Sequence, residues 1–315
     1  MTRLLVIKQY IKYYVARYEV YLQPLAKFAL AYIVLQFANG ATGYMDRLNS
    51  TAVVFVAALT CSFMPPNFMV IMVAGFVVAH MYVVSLECAA VVLAIFLLLF
   101  LLFFRFSPRD TLAVLLTPIC FSLNIPYVIP LMLGLLGTPL SIVSAICGVV
   151  AYYSVSYITA NITTVTAMAA DDMAVRFRFI IDGILDSQEM LVMTAAFSVT
   201  IIVIYFIRRL PITHNWLIAM VTGGLVHILI LLLGDLIWDV PVGVGGAVFG
   251  MIISIGIAKV IEFFVFHVDY NSTEKVQFED DDYYYYVKAV PKVTVAAPSR
   301  KVRKIHTRRS KEEEA

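Results

Sequence analysis

Six ionisable side chains lie inside or beside long apolar stretches, where a group that carries charge or binds a proton is costly to keep and is often functional. They are His80, Glu87, His227, Asp235, Lys259 and Glu262. The carboxylates fall at turns or near stretch ends, and Lys259 is spaced to pair with Glu262 on one helix. His80 and His227 are therefore the most buried candidates, either as hydrogen-bonded core residues or as part of a proton or substrate path.

A second candidate is the region 111–137, where three prolines and one asparagine interrupt an apolar stretch. Proline removes a backbone donor and clashes with the preceding turn, so a straight helix across Asn124 and Pro126 is not expected. Interrupted membrane helices expose backbone groups that bind solutes or ions. Asn124, Pro126 and Pro130 are therefore predicted to line a substrate path, with His80 or His227 contributing.

Four aspartates superficially resemble the magnesium-diphosphate motifs of membrane prenyl- and phosphatidyl-transferases. They are Asp171, Asp172, Asp182 and Asp186. The spacing does not fit either motif, because Val175 stands where the prenyl pattern has an aspartate. An amphipathic surface helix explains the same segment, with Val175, Phe179 and Ile180 on one face. No metal or cofactor site is predicted, and an enzyme acting on lipid-linked substrates is only a third interpretation.

Composition determines the class of protein. Of the 315 residues, 62% are hydrophobic and 14% are charged, which excludes a water-soluble globule and predicts a polytopic protein covered by the lipid bilayer. The 23 basic residues nearly balance the 21 acidic ones, so no nucleic-acid partner is expected. No phosphate-binding loop is present for nucleotide-driven transport.

The apolar segments predict an all-α polytopic membrane protein. They cover about 25–43, 51–64, 67–85, 88–104, 111–137, 139–159, 190–207, 216–238 and 242–267. The segment 111–137 is either one kinked span or a short hairpin with Asn124 near its tip, and the hairpin brings the count to about ten. Residues 1–24 form a predicted amphipathic surface helix, 25–268 the membrane domain and 269–315 a tail.

Small residues recur every four positions in the last apolar segment. They are Gly246, Gly250, Ser254 and Ala258, which line one helix face and favour close helix packing, with Gly223 and Gly224 as candidate partners.

The distribution of Lys and Arg predicts that both termini are cytoplasmic, with 44–50, 160–189 and 235–241 outside. Arg208 and Arg209 remain inside only if 111–137 enters the membrane and returns. A single kinked span would instead invert everything between 139 and 207.

The tail combines an acidic run, four tyrosines and a stretch rich in valine and tyrosine that is typical of one or two short strands. Residues Phe278 to Val295 could add a strand to a cytoplasmic partner. The basic stretch Arg300 to Lys311 could hold anionic lipid, and the extreme end is predicted to be disordered.

Three stretches carry a resemblance to a known family: Val276 to Lys292, Phe104 to Pro108 and Leu115 to Cys120. Through them the chain resembles an uncharacterised family of multi-pass membrane proteins from anaerobic Firmicutes. The resemblance implies a bacterial plasma-membrane location, and it brings no activity and no residue role.

Two functions follow from these features. The first is a non-enzymatic, permease-like protein that moves or binds a small solute at the interrupted segment. The alternative is a structural or scaffold subunit of a cell-envelope complex, which recruits partners through its cytoplasmic tail.

Overall fold

The computed structural model describes residues 2–168, 173–212, 214–239, 243–266, 274–279 and 284–289. The chain divides into two compact units. One comprises Glu19–Phe263 and the other comprises Met1–Tyr18 with Phe264–Ala315. The candidate site lies wholly within the first unit.

Helices dominate the described chain. In order they are α1 (Thr2–Arg17), α2 (Glu19–Thr42), α3 (Asp46–Asn49), α4 (Thr51–Phe63), α5 (Pro66–Val84), α6 (Leu86–Phe106), α7 (Thr111–Ser122), α8 (Val128–Leu136), α9 (Ser141–Ala160), α10 (Ile162–Ala167), α11 (Met173–Leu185), α12 (Gln188–Ile207), α13 (Asn215–Trp238) and α14 (Val244–Phe266).

Within the described ranges, seven helical stretches are long and apolar enough to cross a bilayer. They are Glu19–Thr42, Pro66–Val84, Leu86–Phe106, Ser141–Ala160, the stretch Met173–Ile207, Asn215–Trp238 and Gly245–Val265. Helices α4 and α7 are apolar but shorter. For the described residues, the prediction of a helical chain with several apolar helices of membrane-spanning length is confirmed.

One end of the helix bundle, which we call the basic end, is defined by contacts between helix termini. Ser62 Oγ near the end of α4 donates to the Pro24 carbonyl in α2 at 2.7 Å. Thr111 Oγ1 at the start of α7 donates to Asn67 Oδ1 at the start of α5. This end carries the arginines that flank α6, α7 and α12, which are Arg105, Arg109, Arg208 and Arg209.

The opposite end, which we call the acidic end, is where α11 lies. Arg176 of α11 pairs with Glu87 at the start of α6 at 3.6 Å, and both side chains are largely buried. The Phe179 ring lies 6.2 Å from that of Tyr157 near the end of α9. This end carries most of the acidic side chains of the unit, including Asp46, Glu87, Asp182, Asp186, Glu189 and Asp239.

The structure differs from the sequence prediction at two helix details. Helix α1 ends at Arg17 and α2 begins at Glu19, so Pro24 lies inside α2 and does not terminate the first helix. Pro24 is the sixth residue of α2, so its missing N–H removes one backbone hydrogen bond, to the Val20 carbonyl, while the helix continues past it. Helix α11 forms as an amphipathic helix, but its buried residues are Ile180 and Ile184, while Val175 is exposed.

The second unit contains an antiparallel pair of strands, β1 (Glu274–Glu279) and β2 (Tyr284–Ala289). Their register pairs Glu274 with Ala289 and Glu279 with Tyr284. The residues that connect the two strands lie outside the described residues, and so does the basic stretch from Arg300 to Lys311.

Candidate functional site

The apolar region 111–137 is broken at Asn124. Helix α7 ends there with two backbone hydrogen bonds, from Asn124 N–H to Phe121 O at 3.0 Å and from Ile125 N–H to Cys120 O at 2.9 Å. Asn124 has a φ of 58°, in the left-handed region that asparagine tolerates better than most residues. These are the bonds of a Schellman motif, and Pro126 then prevents the helix from continuing.

Both arms of this segment return to the basic end. Thr111 anchors the start of α7 beside Asn67. At the other arm, the Arg208 guanidinium donates to Leu135 O and, at 2.7 Å, to Gly137 O at the end of α8. The ring of Phe121, close to the break, lies 5.9 Å from that of Phe197, near the middle of α12. Residues 111–137 therefore form a hairpin whose tip lies midway along the bundle.

At the basic end, the Arg208 side chain contacts two aromatic rings in addition to its hydrogen bonds. Its guanidinium lies 5.1 Å from the centre of the Tyr205 ring and 6.0 Å from that of Trp216. A cation at the carboxyl end of a helix is stabilised by the helix dipole. Burial, and then the neighbouring Arg209, lower the pKa of Arg208 from its usual value, but an arginine remains charged at neutral pH.

Three glycines allow close contacts around the hairpin. A Cβ on Gly148 of α9 would lie 2.6 Å from Thr117 Cβ in α7, and one on Gly134 of α8 would lie 2.7 Å from Ile204 Cβ in α12. A Cβ on Gly250 of α14 would lie 2.7 Å from Cε2 of Tyr127 at the tip. Each arm and the tip thus pack against a different helix at a distance that only glycine permits.

A cavity of about 630 Å³ lies against the hairpin tip. Its walls come from the tip, one face of α9, the first turns of α12 and the start of α14. The lining residues are Phe121, Asn124, Pro126, Tyr127, Tyr152, Tyr153, Ser156, Tyr157, Ala160, Ser187, Glu189, Met193, Gly243, Gly246 and Ala247. Since Ser187 and Glu189 stand at the acidic end and Asn124 midway down the bundle, the cavity extends from that end to the tip.

The cavity lining combines aromatic rings with one carboxylate. Among the described residues that line it, Glu189 carries the only charge. The rings of Phe121 and Tyr152 are stacked 4.5 Å apart, and Tyr153 stands nearly perpendicular to both, at 5.6 and 5.4 Å. Such a lining can hold a small polar or cationic solute.

His227 lies directly behind the tip, completely buried. Its Nδ1 is 3.0 Å from Thr200 Oγ1, and within the described structure its Nε2 has no hydrogen-bond partner. The ring meets Tyr127 edge to face at 5.2 Å and Phe197 at 5.6 Å. Of the two predicted histidines, only His227 is adjacent to Asn124 and its neighbours.

His80 belongs to a separate network at the acidic end. Its Nδ1 accepts a hydrogen bond from the Met45 backbone N–H at 3.0 Å, so the proton of the neutral ring is on Nε2, which donates to Asn39 Oδ1 at 2.9 Å. Asn39 Nδ2 in turn donates to the Leu48 carbonyl at 2.8 Å. With both nitrogens satisfied, His80 holds the α2–α4 connection and does not line the cavity.

Of the other predicted site residues, some line the larger cavity and some are buried in contacts between helices. Asn124 and Pro126 line the cavity, whereas Pro130 is buried inside α8. In the small-residue stripe, Gly246 lines the cavity and Gly250 contacts the tip, while Ser254 and Ala258 are fully buried. Gly224 faces Met251 and Gly223 faces Ile204, so neither meets the stripe directly.

The aspartates do not form a recognisable centre in the described structure. Asp171 and Asp172 lie outside the described residues, and exposed Asp182 pairs with Arg178 at 3.2 Å. Among the residues described, no three His, Cys, Asp or Glu side chains are grouped closely enough to share a metal ion.

A smaller cavity of about 150 Å³ lies between α2, α5, α6, α7 and α9. Its lining is almost wholly aliphatic and aromatic, and it shares Tyr152 and Ser156 with the larger cavity. Without charged groups it offers little chemistry beyond apolar contact.

Sequence reasoning missed the tyrosines of α9 and the carboxylate of α12. Tyr152, Tyr153, Ser156, Tyr157 and Ala160 follow the spacing of one helix face, and that pattern is a signal for a polar wall. The sequence predicts that α12 begins only after the outside segment 160–189, whereas Glu189 stands in the first turn of that helix.

No family model, curated protein or solved structure matches this chain. The resemblance to a Firmicutes membrane-protein family remains a prediction, and the candidate site rests on its own geometry.

Proposed function

We propose that this protein is a non-enzymatic, permease-like membrane protein that binds, and moves, a small solute at the tip of the 111–137 hairpin. The observation that supports it best is the polar-lined cavity of about 630 Å³ that ends at Asn124, where the helix is broken. A helix break at mid-membrane depth is tolerated where it is buried in protein or lines a water-filled cavity. Here the break lines the cavity, so the proposed function requires that water fill this cavity.

The proposed location is a bacterial plasma membrane, with the basic end and both termini in the cytoplasm. The arginines that flank α6, α7 and α12 support this orientation through the excess of basic residues in cytoplasmic loops. The cavity would then open to the outside.

The test is whether water reaches the cavity. In purified protein, single cysteines at Gly246 and Asn124 should react with a water-soluble maleimide. Ser254→Cys, two turns further along the same face of α14 and fully buried, is the matched control and should not react. The unsubstituted chain reports any reaction of the native cysteines. If the Gly246 and Asn124 variants are as unreactive as the Ser254 variant, the cavity is dry and the proposed function fails.

The scaffold function is the second candidate, and the strand pair of the tail favours it. Each described strand pairs only with the other, so a partner could extend the pair by strand addition. Affinity purification with and without 269–315 tests it, because a scaffold should lose its co-purifying proteins together with the tail. Unchanged co-purification would contradict it.

A further inference from the structure

We infer that the cavity binds an organic cation of the quaternary ammonium class between Glu189 and the aromatic cluster that Tyr152 and Tyr153 form with Phe121. This inference rests on the proposed function, since it assigns a class of ligand to the same cavity.

The charged residues that line the cavity indicate that its ligand carries a positive charge. Glu189 stands in the first turn of α12, at the mouth, and the described lining contains no lysine, arginine or histidine. The two arginines of α11 are paired with other carboxylates, Arg176 with Glu87 and Arg178 with Asp182. Within the described lining, an anion would therefore meet the Glu189 carboxylate and no compensating cation, whereas a cation gains an opposite charge.

The aromatic rings favour an organic cation over a small metal ion. Phe121 and Tyr152 lie parallel at 4.5 Å, and Tyr153 is tilted by 77° and 85° from them. Phe121 is also stacked on Phe197, so its faces are largely covered by its two ring neighbours. The rings that line the cavity together with Glu189 are mainly the tyrosines Tyr127, Tyr152, Tyr153 and Tyr157. Aromatic rings attract weakly hydrated ammonium groups, and aromatic sites recognise choline and methylated amines.

Glycine at position 246 gives a reporter inside the same wall. A Cβ at Gly246 would meet no heavy atom within 4 Å, so a cysteine there fits without moving its neighbours. A bound ligand should shield that thiol from a water-soluble maleimide.

The experiment measures the labelling rate of purified Gly246→Cys with choline chloride, with potassium chloride at equal ionic strength, and with 3,3-dimethylbutanol, the uncharged isostere of choline. We expect saturating choline to slow labelling by about fivefold or more, while the other two additions leave the rate unchanged.

Variants of the lining identify the groups responsible. When Tyr153→Leu or Glu189→Gln is added to Gly246→Cys, the choline concentration that gives half-maximal protection should rise about tenfold. Tyr153→Phe keeps the ring, so the same concentration should rise by no more than about twofold. Asp46→Asn removes a carboxylate of the acidic end that does not line the cavity; it is the control, and choline should protect it normally. Because Glu189 is exposed in the first turn of α12, we expect the Glu189→Gln variant to fold, and it still tests the inference if Tyr153→Leu does not fold.

The outcomes separate this inference from the proposed function. A thiol that does not react without any addition shows that the cavity is dry, and the proposed function fails. A thiol that reacts freely but is protected by neither compound, or equally by choline and its neutral isostere, overturns the organic-cation inference and leaves the solute cavity standing.

Discussion

Gly250 of α14 and Tyr127 at the hairpin tip are in contact without room for a single additional methyl group. A Cβ on Gly250 would lie 2.7 Å from Tyr127 Cε2 and 3.1 Å from the Asn124 carbonyl oxygen. One turn earlier, Gly246 faces open space within the cavity. The same stripe of small residues therefore supports the tip with one glycine and leaves room for solute with another.

Gly250→Ala should destabilise the protein by about 1–3 kcal/mol, because either the Tyr127 ring or the backbone at Asn124 has to shift. Thermal unfolding in detergent measures the effect.

Gly246→Ala is the matched control on the same helix face. Its methyl group meets no neighbour, so the melting temperature should not fall. Equal melting temperatures for the two variants would show that the tip is not packed against α14 at Gly250.

Arg208→Met should destabilise the protein by about 2–3 kcal/mol, because it leaves the carbonyls of Leu135 and Gly137 without their charged donor. Arg209→Met removes the same charge from the same loop, but among the described residues it loses the contact with the Tyr205 ring at 4.2 Å and no hydrogen bond, which costs less than about 1 kcal/mol. Thermal unfolding compares the two. A similar loss in both would mean that the charge of the loop matters and the bonds to α8 do not.

Asn39→Ala should cost about 1–3 kcal/mol, because the buried His80 N–H and the Leu48 carbonyl lose their partner. Asn49→Ala, which removes an exposed bond to the Gly43 carbonyl, should cost less than about 1 kcal/mol. Neither change should alter maleimide labelling of Gly246→Cys. If Asn39→Ala changes the labelling rate at a temperature where both variants remain folded, and Asn49→Ala does not, the His80 network is coupled to the cavity.

The break in the hairpin was predictable from the sequence, because its signals are local. Pro126 prevents α7 from continuing, and asparagine two positions before it suits the left-handed residue that closes a Schellman motif. Pro118 and Pro130 do not end a helix, since they lie inside α7 and α8. The return of the chain to the basic end was predictable only through the positions of Arg208 and Arg209, which are a signal of membrane orientation.

The cavity itself was not predictable, because its wall is assembled from four separate elements. Tyr152 and Tyr153 are typical of any membrane helix until α7 brings Phe121 against them. The two histidines look alike in sequence, and only tertiary contacts separate them. Met45 and Asn39 satisfy both nitrogens of His80, while His227 lies behind the tip with one nitrogen unpartnered in the described structure.

The most direct test of a solute cavity that opens outward is the side from which its wall can be labelled. Gly246→Cys should react with a membrane-impermeant maleimide in intact cells, while Leu210→Cys, exposed at the basic end, should react only after the membrane is permeabilised. Labelling of Leu210→Cys in intact cells, with Gly246→Cys protected until permeabilisation, would contradict the proposed orientation and place the cavity on the cytoplasmic side.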